Sequence, residues 1–240
     1  MEIGRIEMFL ETSLMSEHLA MPIIGHLEQV IHIFGYLKQN SKKKIAFDPE
    51  HPQIDERRFY KYDWYYFYRD AKEAIPGDMP KPRGNSMSTH CFVDANYAGN
   101  MVTRRNQTGI LLFWNRSPII WHSKQQNTVE TSTFGSEITA MKNAVELIEA
   151  LRYKLQMFGV PIEGSTNIYC DNEAVCRKFI TPESTLKKKH HSIAYHRNRE
   201  AVADETCRIT KEATKTNLSD LFTKVLSKVR RESLLDRFTC

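Results

Sequence analysis

The chain has 240 residues, of which 41% are apolar and 26% charged; that is enough for one sizeable core or two small ones, in the composition range of an ordinary folded domain. A net charge of +5 permits a nucleic-acid partner without demanding one. Five cysteines without a Cys-x-x-Cys pair argue against a zinc framework and a disulfide scaffold. Cysteines that read as core residues imply a reducing, intracellular compartment. No apolar run is long enough to span a bilayer, and Glu2, Glu7 and Glu11 interrupt anything that could read as a signal peptide, so a soluble protein with no membrane partner is expected.

Residues 1–40 read as helical, because Leu27, Val30, Ile31, Phe34 and Leu37 recur at three-to-four spacing. Residues 41–87 are mixed, with a short possible strand at Ile45–Phe47 and an aromatic cluster of Tyr60, Tyr62, Trp64, Tyr65, Tyr66, Phe67 and Tyr68. Such aromatics can stack bases, although packing between domains is the commoner use. Prolines and glycines then break the chain repeatedly, which places a linker at 75–88.

From residue 89 the pattern becomes orderly. Strands are expected at Cys91–Tyr97, Thr108–Trp114 and Pro118–His122. Phe134, Ile138, Met141, Val145, Ile148 and Leu155 mark a long helix that ends near Gly159. A strand at Asn167–Cys170, a helix at Glu173–Ile180, a basic helical stretch at 186–203, a strand at Cys207–Lys211 and a helix at Leu218–Val225 follow. This order predicts an α/β fold, a mixed sheet with helices on its faces. The basic stretch holds Lys187, Lys188, Lys189, His190, His191, His196, Arg197 and Arg199, and reads either as a phosphate-attracting patch or as a solvated helix face.

Four acids sit at element ends. Asp94 lies among apolar neighbours in the first strand, and Glu137 in the first turn of the long helix. Asp171 directly follows a strand, and Asp220 falls in the first turn of the helix after the last strand. Taken singly, the last three suit helix caps and dipoles. Together they can converge at one edge of an open sheet, where mutual repulsion makes sense mainly around cations. Two hard divalent ions roughly 3.5–4 Å apart could then activate water and stabilise a leaving oxygen.

The runs Phe92-Val93-Asp94-Ala95-Asn96-Tyr97-Ala98-Gly99, Arg104-Arg105-Asn106-Gln107-Thr108-Gly109, Ile120-Trp121-His122-Ser123-Lys124-Gln125-Gln126 and Thr131-Ser132-Thr133-Phe134-Gly135-Ser136-Glu137 carry a resemblance. Asp171-Asn172, Lys189-His190, Tyr195-His196-Arg197-Asn198-Arg199-Glu200 and Leu218-Ser219-Asp220-Leu221-Phe222-Thr223-Lys224 extend it. In this order they resemble the ribonuclease H domain of copia-type retrotransposon Pol polyproteins. Residues 1–40 look like the tail of a preceding reverse transcriptase, whose own catalytic motif is absent.

The resemblance implies a ribonuclease H-like mixed five-stranded sheet flanked by helices, preceded by a small mostly helical N-terminal segment. The divisions it implies are 1–74 as a reverse transcriptase remnant, 75–88 as linker, 89–226 as the ribonuclease H-like domain and 227–240 as a C-terminal tail. It implies two-metal hydrolysis of the RNA strand of an RNA–DNA hybrid, with Mg2+ as cofactor and Mn2+ as its alternative. Asp94 would bridge both ions, Glu137 would hold the ion nearer the leaving group, Asp171 would orient the attacking water and Asp220 would complete the other ion's shell. Lys124, Lys189, His190, Arg104 and Arg105 are the candidate contacts to the hybrid, and a reverse transcriptase subunit or the rest of the polyprotein is a further expected partner. Asn96 stands where the family often has an acid, with little effect expected, and His190 and His196 have no third ligand at zinc spacing. A catalytically silent nucleic-acid-binding remnant, and behind it another nuclease of the same architecture, are the alternatives.

Overall fold

A computed structural model describes residues 5–97, 103–186 and 189–240; Ala98 and Gly99 of the first run, and Lys187 and Lys188 of the basic stretch, lie outside them. In chain order the elements are α1 (Phe9–Ser16), α2 (Ile24–Gln39), the single turn α3 (Tyr65–Tyr68), β1 (Thr89–Asn96), β2 (Gln107–Trp114) and β3 (Ser117–Gln125). They continue with α4 (Thr133–Met157), β4 (Thr166–Cys170), α5 (Glu173–Ile180), α6 (Ser192–Ala203), β5 (Cys207–Lys211) and α7 (Lys228–Leu235). A short 3-10 helix, Leu218–Phe222, stands between β5 and α7. The five strands predicted from residue 89 onward and the helices α4, α5 and α6 appear, their ends shifted by up to six residues, as expected where fraying and capping decide the boundary.

The five strands form one sheet in the order β3-β2-β1-β4-β5. β1, β2 and β3 make an antiparallel meander, whereas β4 pairs parallel with both β1 and β5. This is the mixed five-stranded sheet with flanking helices, preceded by a helical N-terminal segment. Alternation along β1 sends Cys91, Val93 and Ala95 to one face and Phe92 to the other. The first face packs on α4 through Ile138, Met141, Val145 and Ile148, a stripe at helical spacing.

On the second face Phe92, Leu111 and Phe113 meet Leu218, Leu221 and Phe222 of the 3-10 helix, with Ile6 and the C-terminal Leu234, Leu235 and Phe238. Residues 227–240, expected as a tail, therefore include a helix whose Leu234 and Leu235 are buried. They also tie the C-terminal residues to the segment after α2, since Cys240 and Lys44 exchange backbone hydrogen bonds of 2.9 Å and Ile45 bridges to Thr239. Ile45 is a single bridge rather than the strand expected at Ile45–Phe47.

Residues 75–88 hold no helix or strand, but they are anchored: Arg83 N–H donates to the Gly159 carbonyl, and Met87 bridges to Ile162. Just before them, the Glu73 carboxylate pairs with the buried Arg152 guanidinium at 2.6 Å. Of the seven clustered aromatics only Trp64 is buried, beneath the Arg199 guanidinium at 4.9 Å.

Candidate active site

The parallel register aligns Val93 with Cys170, so Asp94 and Asp171 stand side by side, each one residue further on. Both lie at the C-terminal ends of adjacent strands, the edge of an α/β sheet where ligand sites commonly form. From one face α4 brings Glu137 to the same edge; from the other, the 3-10 helix brings Asp220. Glu137 sits in the second turn of α4 rather than the first, because Ser132 caps the helix by accepting from Gly135 N–H and so moves its start to Thr133. One carboxylate oxygen from each of Asp94, Glu137 and Asp171 lies within 4.8 Å of the others.

Asp220 joins this group through a cation. The Lys224 ammonium lies 2.7 Å from Asp220, 3.2 Å from Asp94 and 4.0 Å from Asp171. Lys224 is four residues beyond Asp220, the spacing at which side chains meet along a helical path. Arg230, from α7, pairs with the other oxygen of Asp220 and donates to the Thr214 carbonyl at 2.6 Å. Thr223 donates its hydroxyl to Asp94 Oδ2.

Two further contacts lock the 3-10 helix to β1. Asn217 donates to the Val93 carbonyl at 3.3 Å and caps the helix at Ser219 N–H, while Asn96 donates its amide to the Thr223 carbonyl at 3.0 Å. Asn96, the departure from the family pattern, therefore has a part in the architecture: an ionised acid could not donate there. Gly109, directly opposite Asp94 in the register, makes the approach sterically possible. A Cβ on it would stand 2.6 Å from Thr223 Cγ2 and 2.8 Å from the Ser219 carbonyl oxygen.

Burial and mutual repulsion set the protonation of the site. Burial, then the charges of Asp94 and Asp171, push the Glu137 carboxyl well above its ordinary range. Its Oε2 is buried without a hydrogen-bond partner among the described residues. Asp171 is raised by burial and by Asp94, with Lys224 opposing, and Asp220 is raised by burial against the Lys224 hydrogen bond. Partial burial works against the Lys224 ammonium, yet Asp94, Asp220 and Asp171 together raise its pKa. Asp94, Glu137 and Asp171, with an orphaned oxygen among them, form a hard-oxygen donor set, which fits a small divalent cation such as Mg2+, whereas both oxygens of Asp220 are engaged by Lys224 and Arg230.

The expected nucleic-acid contacts are dispersed. Lys124, Lys189, His190, Arg104 and Arg105 are all exposed, and among the described residues none touches the four acids. Lys124 lies on β3 beside a cleft lined by Thr108, His122, Gln126, Thr128 and Asn143, whereas Arg104 and Arg105 precede β2. The basic stretch is neither of the two alternatives throughout. Arg199 is buried and donates to the carbonyls of Thr181, Pro182 and Ser184, while Arg197 pairs with Glu149.

Sequence reasoning assigned no role to Thr223, Lys224 or Arg230. The four-residue step from Asp220 to Lys224 was a usable signal; Arg230 gave none, since only the packing of α7 brings it back.

No protein-family model matches the chain. Curated relatives include the retrovirus-related Pol polyprotein from transposon RE2 of Arabidopsis thaliana, 29% identical over 147 residues, 61% of this chain and 10% of that protein. The corresponding polyprotein from transposon TNT 1-94 of Nicotiana tabacum is 32% identical over 171 residues, 67% of this chain and 13% of that protein. The chain thus spans only 10–13% of the length of these relatives. Among solved structures, LC11-RNase H1 in complex with RNA/DNA hybrid aligns with a TM-score of 0.44 at 15% identity, over 57% of this chain and 94% of that one. RNase H1 from Halobacterium salinarum NRC-1 aligns with a TM-score of 0.43 at 17% identity, over 62% of this chain and 98% of that one.

Proposed function

We propose that this chain, whose homologues are retrovirus-related Pol polyproteins of copia-type transposons, is a ribonuclease H module that cuts the RNA strand of an RNA–DNA hybrid. The observation that carries the reading is the meeting of Asp94, Glu137 and Asp171 at the strand ends, with Asp220 joined to them through Lys224. The unit proposed is 89–226, preceded by a polymerase-derived segment, 1–74, and the linker 75–88. α7 closes its second face.

Asp94, Glu137, Asp171 and Asp220 would hold Mg2+, or Mn2+ in its place. Such ions, when bound, activate water and stabilise a departing oxyanion in phosphodiester hydrolysis. The chain's own residues prepare the site. Thr223 holds Asp94 in one orientation, and Asn96 and Asn217 keep the segment bearing Asp220 against the end of β1. Burial and the charges of Asp94 and Asp171 raise the Glu137 carboxyl, and a nearby cation would favour its carboxylate form. Lys224 supplies positive charge that keeps the other acids from repelling one another. Exposed Lys124, Lys189, His190, Arg104 and Arg105 would contact the phosphates and 2′-hydroxyls of a hybrid, giving recognition by shape rather than by base sequence.

The test is cleavage of a labelled RNA–DNA hybrid by the purified chain with and without Mg2+. Metal-dependent cutting of the RNA strand is expected, and Asp94→Asn should abolish it. Well-folded wild-type protein that binds the hybrid without cutting would favour a silent binding remnant. Cleavage of duplex DNA with the RNA spared would point to another nuclease.

A further inference from the structure

A second group of metal-competent side chains lies away from the strand ends. Glu130, on the approach to α4, and His190 and His191, on the 3-10 turn Lys189–His191 before α6, present ligand atoms all within 4.8 Å of one another. The sequence offered no third ligand near the histidines, because the carboxylate comes from sixty residues earlier and only the fold brings it in.

Three features mark this corner as shaped. Glu130 Oε2 stands 3.2 Å from His191 Nε2, with their side chains only 9% and 5% exposed. Thr128 donates its hydroxyl to the other oxygen, Oε1, at 3.0 Å, which fixes the carboxylate with Oε2 turned to the imidazole. Gly135 leaves the space: a Cβ there would fall 2.7 Å from Glu130 Oε2 and 2.8 Å from His191 Nε2. The exposed His190 ring lies against that of His191, with ring centroids 4.0 Å apart, and closes the group on its solvent side.

We propose that Glu130, His190 and His191 bind a transition-metal dication of the zinc class, at a site separate from the four acids. Two imidazoles and one carboxylate are a donor set for Zn2+ and its neighbours, whereas Mg2+ prefers oxygen alone. Tetrahedral coordination at about 2.0–2.2 Å sets ligand atoms a little over 3 Å apart, the separation that Glu130 and His191 already hold. The exposed His190 needs to close by at most about 1.5 Å for the same geometry, a ring rotation its surface position allows. Three protein ligands leave the fourth position to water. A bound ion would clamp the 3-10 turn before α6 to the approach to α4, seven residues ahead of Glu137.

The experiment is calorimetric titration of the untagged full chain with Zn2+, paired with thermal melting. One equivalent should bind and raise the Tm, and Asp94→Asn should leave that binding intact. Since even outer-shell partners are worth about 10–100-fold in metal affinity, His190→Ala and Glu130→Gln should each weaken it by at least about tenfold. His190 is exposed and Gln is isosteric with Glu, so both variants should fold, which circular dichroism would verify. No binding by the wild type overturns the proposal. So does binding that survives both variants, which would place the ion elsewhere, for example at the stacked pair His18 and His26, or binding lost in Asp94→Asn.

Discussion

The end of the sheet and helix α2 obey opposite rules although both carry a clear pattern. At the strand ends Asp94 and Asp220 are fully enclosed, and Thr223, Lys224, Asn96 and Gly109 are each committed to a specific neighbour. In α2, Leu27, Ile31 and Phe34 recur at perfect helical spacing, yet they are 61%, 61% and 56% exposed, and no residue of that helix is buried. Periodicity therefore identifies a helix and its apolar side, but says nothing of whether anything in the same chain covers that side. Substitutions at the two places should differ accordingly.

The largest effect is expected at Gly109. Any side chain there meets the Ser219 backbone carbonyl, which cannot swing aside, as well as Thr223 and Phe222. Gly109→Val should cost about 3 kcal/mol or more through overpacking, read as a lowered midpoint in urea, and should displace the segment bearing Asp220. A variant as stable as the wild type would mean that the 3-10 helix does not press on β2.

Next is Lys224. Replacing it by methionine keeps most of the volume but removes the charge that three acids share. With a third of its side chain in solvent, the loss should be roughly 1–2 kcal/mol in chelator. Saturating Mg2+ should shrink the difference, because a bound cation replaces the missing charge. A difference indifferent to Mg2+ would break the link between Lys224 and the carboxylate group.

Glu137 should respond in the other direction. Its carboxyl is raised in the folded chain above the ordinary 4.5, so between those two values the native state binds more protons than the unfolded one. Stability of the metal-free protein should then fall as pH climbs from about 4.5 through the raised value, and stay low above it. Glu137→Gln removes that proton linkage. It should melt higher than the wild type in chelator at neutral pH, with a flatter pH profile, while hybrid cleavage is lost. Equal Tm values across pH 4–8 would contradict the shift.

How much of this could be read beforehand follows the same division. The four acids were visible because each sits at the end of a strand or the start of a helix, and the alternation or periodicity of those elements is strong. The sheet's composition was likewise legible: β4, α5 and β5 fall within a residue of their expected limits. The contacts that knit the site were hidden for a physical reason. Asn96 and Thr223 meet across 127 positions, and Arg230 reaches Asp220 only because α7 folds back onto the second face. Pairing over such distances is set by packing, to which local propensity is blind. The same blindness concealed Glu130 from His191, and it made buried Arg199 look like part of a solvated basic face.

The smallest effect is expected on α2, and it decides how the exposed face should be understood. Leu27→Gln and Ile31→Gln keep helix propensity close to that of the original residues. They remove apolar surface that packs on little within the chain. Surface changes of this kind stay within about 0.5 kcal/mol, so the Tm of the double variant should scarcely move. If α2 lies uncovered in solution, the same variant should also lower concentration-dependent light scattering, because an uncovered apolar stripe promotes self-association. A loss of stability comparable to that of Lys224→Met would mean that a second copy, or another part of this chain, covers the stripe. The contrast with the strand ends would then lie in what each surface packs against, not in whether it is packed at all.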